Sequence, residues 1–278
     1  MLGAQKVTVL CCAPTVLIAI ANAPIEPGVP RGVRVLTAGA APAATTIEKI
    51  EGQLGWIVTQ VYGLTETAPF ITVCEPRAEH AAMTLGERAM LKARQGVELV
   101  TSGELRIVDE DMRDVPRDDA TIGEIVVRGN VVMSGYYNDP AATELAFAGG
   151  YFHTGDSAVV HPDGYAEIRD RMKDVIISGC ENISSIEVEA TLLRHPAIQE
   201  VAIVGLPHDK WGEAPYAFVV LRPGAEATEA ELKQFARANL AHFKAPHGIT
   251  FVAELPKTAT GKIQKFILRG GRSAVTRQ

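Results

Sequence analysis

The chain has 278 residues, 47% of them hydrophobic and 22% charged, with 25 glycines and 16 prolines. A globular chain of this length buries roughly 70–75% of its unfolded surface, and this composition excludes disordered, collagen-like and coiled-coil proteins. A formal charge of −6, from 27 Lys and Arg against 33 Asp and Glu, leaves no basic footprint for a phosphate backbone, so nucleic acid is not an expected partner.

The first elements follow at once from the N-terminal residues. Lys6 and the run VTVLCCAPTVLIAIANA imitate a secretory signal. Pro14 interrupts the run, Pro24 follows its small-residue end, and it is shorter than the ~20 residues that span a bilayer. A buried strand over Val7–Leu10 and a short helix after Pro14 are expected instead, with no transmembrane segment. The four cysteines, Cys11, Cys12, Cys74 and Cys180, have no CxxC or metal-ligand spacing, which suits reduced thiols in the cytoplasm.

Val33–Thr37 reads as a β-strand ending at Gly39, Thr45–Leu54 as a helix, and Trp56–Tyr62 as a second strand closed by Gly63. This βαβ rhythm predicts a partial parallel α/β sheet over residues 1–85. GELRIVD, GEIVVRG and GYAEIRD, punctuated by Gly, Asp and Pro, predict a small β-rich subdomain over 86–170 with little helix. From 171 to 278 the pattern is that of an independent α+β module. It has a strand at Val175–Ile177 and a helix opened by a capping box from Ser184 to Glu187, with Ile186, Ala190 and Leu193 on one face. Strands at Glu200–Val204 and Pro215–Leu221 follow, then a capped helix from Thr228 that turns Leu232, Phe235, Ala236 and Leu240 inward; the tail from Gly271 reads as frayed. The fold class is therefore α/β and α+β.

Neither a GxGxxG, a GxSxG elbow nor a Walker phosphate loop is present: Ile263 follows Gly261-Lys262, and Pro256 stands where the loop's first glycine belongs. What remains is a set of polar clusters at element ends. Gly39-Ala40-Ala41-Pro42 and YGLTET at 62–67 follow adjacent parallel strands, so both lie on the rim where α/β sheets bind ligands. Tyr62 can stack on a ring, and Thr65 with Glu66 offers a hydroxyl and a hard carboxylate for phosphate and Mg²⁺. Thr154-Gly155 forms a turn that holds Asp156, whose carboxylate can accept from both hydroxyls of a ribose. Each cluster also has a plainer reading. GAAP alone is a strand-to-helix turn, Asp156 alone an Asx-turn, Arg171 and Lys173 a solvated charge run, and Lys262 a surface lysine.

Order and combination favour the chemical reading. YGLTE, GEIVVRGNVVMSGYYNDPAAT, GYFHTGD, GYAEIRDRMKDVIISG, ENISSIEVE and LPKTATGKIQK resemble, in order and near spacing, the successive motifs of the acyl-adenylating (AMP-binding) enzymes. VRVLTAGAAP, LKARQGVE and HFKAP are similar to the fatty-acyl-CoA synthetase, or acid:CoA ligase, branch that acts on short or medium chains. The resemblance implies an ATP-dependent ligase that forms an acyl-adenylate and then a thioester, with ATP, Mg²⁺ and coenzyme A as cofactors. Gly39, Ala40, Ala41 and Pro42 would line the adenine and acyl pocket, with Gly63 beside it. Tyr62 would stack on adenine, Thr65 touch the α-phosphate, Glu66 hold Mg²⁺, Asp156 grip the ribose diol and Arg171 the ribose or phosphate. Lys173 would be the hinge of a mobile C-terminal domain, and Lys262 the catalytic lysine.

Two departures qualify the resemblance. The family's Ser/Thr/Gly-rich phosphate loop belongs to a first half of roughly 200 residues or more, absent here, so the resemblance covers a C-terminal portion only. That implies an exposed apolar edge and association with a separate N-terminal half. Cys180 replaces the glycine that usually follows Gly179, where the thiol tunnel passes close to the backbone. Two alternatives stay open: an adenylating enzyme that loads a carrier protein, and a non-catalytic fragment that binds a partner.

Overall fold

The computed structural model describes residues 5–25, 27–179, 181–258 and 261–270, and its chain divides into two compact units between Ile168 and Arg169. The first unit opens with three parallel strands, β1 (Val9–Cys12), β2 (Arg34–Thr37) and β3 (Ile57–Tyr62). Two helices make the crossovers, α1 (Pro14–Asn22) and α2 (Ala44–Leu54). Pro14 stands in the first turn of α1, where its missing N–H costs nothing, and Gly55 ends α2 in the left-handed conformation. The sheet is mixed rather than wholly parallel, because β4 (Thr72–Cys74) adds antiparallel to β3 and β5 (Val97–Glu98) adds antiparallel to β4. Leu17, Val33, Val35, Ile47, Ile50, Trp56 and Val58 close a core between the helices and one sheet face. On the opposite face Val9 is 53% exposed, Leu36 36% and Ile57 48%, although parallel sheets are ordinarily covered on both sides.

A second sheet in this unit runs in sequence order, β6 (Glu104–Val108), β7 (Gly123–Arg128), β8 (Phe152–Val160) and β9 (Ala166–Arg171). Two helices interrupt the stretch expected to be almost all β. Before β5 comes α3 (Leu85–Lys92), opened by a reciprocal Thr84–Glu87 capping box. Between β7 and β8 comes α4 (Pro140–Ala146), whose Asp139 accepts the Ala142 N–H at 3.0 Å. Both carry start signals in sequence, TxxE and Asp-Pro.

The second unit is built on the long antiparallel pair β12 (Ile198–His208) and β13 (Gly212–Leu221). The hairpin of β10 (Ile176–Ser178) and β11 (Glu181–Ile183) precedes it, and β14 (Gly248–Phe251) runs parallel to β13. Between β11 and β12 lies α5 (Ser185–Leu192), before β14 lies α6 (Glu229–Asn239), and at the end lies α7 (Lys265–Leu268). Both sheet faces are covered, one by Val188, Leu192, Leu232 and Ala236, the other by Leu255 and Leu268.

The inward face of α5 is not the expected one. Ser185, Val188 and Leu192 are buried, whereas Ile186 is half-buried, Ala190 exposed and Leu193 only partly covered. Ile186 and Val188 head competing apolar stripes of similar hydropathy, and packing on the sheet selects the second. Its capping box is also half-formed: Ser184 accepts the Glu187 N–H at 3.1 Å, but the Glu187 carboxylate pairs with Lys244 at 2.7 Å. In α6 the Thr228–Glu231 box is complete, with Leu232 and Ala236 buried as expected. No helix among the described residues is long and apolar enough to cross a membrane. The tail expected to fray, Gly271–Gln278, lies outside the described residues.

Candidate active site

In the first unit, register places the expected clusters on one rim. Thr37 pairs with Gln60, so the Gly39–Pro42 loop that leaves β2 lies beside Tyr62 and Gly63 at the end of β3. Gly39, Ala40 and Ala41 are exposed and Pro42 is buried, and α2 begins two residues later without a side-chain cap. Gly63 is fixed by space: a β-carbon there would stand 1.8 Å from the Pro69 carbonyl oxygen, so the chain passes itself only where no side chain intervenes. A 3-10 turn, Thr65–Thr67, follows; Thr65 is exposed, and Glu66 is half-buried. Tyr136 donates to the Glu66 carboxylate at 3.3 Å, and burial together with that carboxylate pushes the Tyr136 phenol up.

Asp156 is not in a turn, as its Thr-Gly-Asp setting suggested. It lies within β8, at a bulge where the β7–β8 register jumps from Glu124↔Ser157 to Val126↔His153. Gly155 takes φ +70° there. The bulge is held from β7: Glu124 accepts the Gly155 N–H at 2.9 Å and pairs with His153 Nδ1 at 2.7 Å, and Thr154 Oγ1 donates to the Ile125 carbonyl at 2.8 Å. The result aims a carboxylate that is 3% exposed at the end of β3, where Tyr62 Oη donates to Asp156 Oδ2 at 2.6 Å. Residues 94 positions apart are thus joined. Sequence reading missed Glu124 and Tyr136, because their parts depend on a bulge and a loop closure that no local pattern records.

The donor set near Glu66 suits Mg²⁺. A single hard carboxylate beside a threonine hydroxyl matches an ion that keeps waters and completes its shell with substrate phosphates. No group of three or more His, Cys, Asp or Glu that could hold a metal by itself occurs among the described residues.

The second unit holds the remaining expected residues. Arg171 ends β9, half-buried, and Lys173 is exposed in the turn after it, its carbonyl accepting from Arg269 at 3.2 Å. Gly179 takes φ +59° and donates its N–H to the Trp211 carbonyl at 3.0 Å; a β-carbon there would stand 2.6 Å from the indole. Cys180 lies outside the described residues. Lys262 is exposed at the end of a tight chain reversal, whose Thr258 N–H donates to the Lys262 carbonyl at 2.8 Å and whose Lys262 N–H donates to Thr258 Oγ1 at 3.1 Å.

Residues 1–137 match the AMP-binding enzyme family and residues 187–262 the AMP-binding enzyme C-terminal domain. An acetate–CoA ligase of Humulus lupulus, CCL3, is 46% identical over 272 residues, which cover 95% of this chain and 48% of that protein. The 4-hydroxybutyrate–CoA ligase 2 of Metallosphaera sedula is 45% identical, over 97% of this chain and 49% of the relative. The amide bond synthetase McbA of Marinactinospora thermotolerans superposes with a TM-score of 0.84 at 32% identity, covering 97% of this chain and 53% of that structure. The chain spans about half the length of the curated relatives it matches. On these matches, which run through both units, the chain belongs to the AMP-binding enzyme family.

Proposed function

We propose that the chain supplies the nucleotide-facing half of an ATP-dependent acid:CoA ligase. The observation that carries this reading is the 2.6 Å bond that brings Tyr62 and the buried Asp156 together at the end of β3 in a chain with both family matches. In the first half-reaction a carboxylate oxygen of the acid attacks the α-phosphorus of ATP; the bond to the bridging oxygen breaks, leaving an acyl-adenylate and pyrophosphate. In the second, the thiol sulfur of coenzyme A attacks the acyl carbon, its proton passes to solvent, and AMP leaves.

The Gly39–Pro42 loop and Gly63 would line the adenine and acyl pocket, and Tyr62 would stack on the base with its hydroxyl tied to Asp156. Asp156 would accept from the ribose diol, Arg171 would serve ribose or phosphate, and Thr65 the α-phosphate. Glu66 would hold Mg²⁺, which supplies charge neutralisation at the phosphates when bound. Lys262 would set a compact cation against the charge that builds in the transition state, where fixed electrostatics count most. Lys173, exposed where the second unit begins, would be the hinge, with residues 1–85 a remnant of the adenylation domain, 86–170 its β-subdomain and 171–278 the mobile domain. Gly179 would carry the thiol past the backbone, with Cys180 beside it.

Named relatives that act on acetate and 4-hydroxybutyrate favour a short- or medium-chain fatty acid here. Cys11, Cys12 and Cys74 are free thiols, which suits the cytoplasm. The exposed Val9, Leu36 and Ile57 favour work against a separate N-terminal half over work alone.

The test is acid-dependent ATP–pyrophosphate exchange by the chain, alone and joined to the upstream half of an acid:CoA ligase, with acetate, butyrate, octanoate and benzoate. Exchange in the joined protein, with thioester formed on coenzyme A, is the expected result. Exchange that delivers only to a carrier protein would replace the acceptor, and no exchange with any acid in a folded, joined protein would leave a non-catalytic binding fragment.

A further inference from the structure

The segment that carries Lys262 has backbone bonds of its own, Thr258 N–H to the Lys262 carbonyl and Gly261 N–H to the Thr258 carbonyl, but little regular structure on either side. Ahead of it Lys257 and Ile263 form an isolated bridge, and behind it α7 is only four residues long, with no side-chain cap at Gln264. So short a helix does not hold itself in water. Side chains that reach other elements hold both ends. In front, Lys257 Nζ pairs with Glu200 of β12 at 2.6 Å. Behind, Lys265 Nζ meets Glu189 of α5 at 2.8 Å and Ser185 Oγ at 2.5 Å.

The two anchors differ in depth. The Lys265 and Glu189 side chains are 16% and 17% exposed, and Glu189 also accepts the Ile203 N–H at 2.8 Å. Ser185 in turn donates its N–H to Asp170 at 2.5 Å, and Asp170 accepts the Arg171 N–H at 2.8 Å. One chain of polar contacts therefore joins the residue three positions after Lys262 to the peptide that opens the unit. Burial pushes the Glu189 and Asp170 carboxyls up, and Lys265 is the leading cation opposing that rise at both.

We propose that Lys265 is a positioning residue for Lys262: its ammonium, seated on Glu189 and Ser185, fixes the reversal that presents the catalytic lysine. The proposal rests on the reading of Lys262 given above. Without this anchor the ammonium of Lys262 samples many positions, and a misplacement of about 1 Å is enough to cost ~10²-fold in rate. Arginine, a longer cation with the same charge, can still reach Glu189; methionine, of similar length and uncharged, cannot pair with it.

Hydrogen exchange on the full chain tests the anchor without any need for activity. In Lys265→Met, the amides of Thr258, Lys262 and Gln264 should exchange at least about tenfold faster, while the α6 amides keep their rates, because only the local opening changes. Lys265→Arg should restore the slow rates. In the chain joined to an upstream half, Lys265→Met should lower kcat for adenylate formation by at least about tenfold with KM for ATP within about twofold. Should Lys265→Met fail to fold, Glu189→Gln removes the same pair from the other side and is read the same way. Unchanged exchange at the three amides in a folded variant overturns the anchor. A kcat loss that Lys265→Arg does not restore, or one matched by a rise in KM, overturns the positioning role. If Lys262→Ala leaves adenylation intact, the reading of Lys262 fails, and it fails separately from the exchange result.

Discussion

The sheets of the two units are finished differently. In the second unit β12 and β13 are covered on both faces, by α5 and α6 on one and by Leu255 and Leu268 on the other. In the first, α1 and α2 cover one face of β1–β3, and Val9, Leu36 and Ile57 meet solvent on the other. Parallel strands in the first unit thus carry an open core, and a long antiparallel pair in the second carries a closed one. The closed unit has what it needs to fold alone; the open one presents an apolar layer of the kind that another layer normally covers.

Separating the units tests this contrast most severely. A fragment of residues 169–270 should be monomeric and unfold in one cooperative transition, whereas residues 1–168 should associate or bind a hydrophobic dye. A monomeric, cooperative 1–168 fragment would erase the contrast. Point substitutions sharpen it. Leu192→Ala opens a cavity in the closed core and should cost about 2–5 kcal/mol in denaturant unfolding of the second unit, while Leu36→Ser on the open face should leave stability within about 0.5 kcal/mol and raise solubility. Comparable losses at the two positions would mean that the open face is packed in solution.

A smaller effect is expected at the rim. Tyr62→Phe removes the hydroxyl that donates to Asp156 and should weaken nucleotide binding by about 1.5–3 kcal/mol, the range for a hydrogen bond to a charged group; titration calorimetry with the joined protein measures it. The smallest effect is chemical. Burial pushes the Cys74 thiol up to about 12, so at pH 8 a thiol reagent should modify the exposed Cys11 and leave Cys74 untouched in the folded chain. The linkage has a definite sign. Below pH 9.0 the thiol is protonated folded or unfolded; above it only the unfolded chain releases the proton, so stability falls as pH rises from 9.0 toward 12. Cys74→Val should flatten that alkaline limb.

Much of this was legible in the residues. Strand, crossover and strand around VRVLT and Trp56–Tyr62 announce the parallel core, and the Thr228–Glu231 box marks α6. The exceptions share a cause, which is that tertiary contacts choose between local options of similar merit. The sheet, not periodicity, picks Val188 over Ile186 on α5, and Lys244 takes the carboxylate that a capping box would have used. Likewise the bulge around Gly155 needs Glu124 across the ladder, so Thr-Gly-Asp reads locally as a turn and becomes part of a strand. The rim clusters were visible one by one; their meeting, Tyr62 with Asp156, exists only once two sheets are formed.

The most direct test of the account separates the two half-reactions at Lys262. In the chain joined to an upstream half, Lys262→Ala should slow acid-dependent pyrophosphate exchange by at least ~10²-fold, as expected when a transition-state charge contact is lost, while thioester formation from a supplied acyl-adenylate keeps its rate. Equal loss of both half-reactions, or loss of neither, would contradict the assignment of acid activation to this lysine.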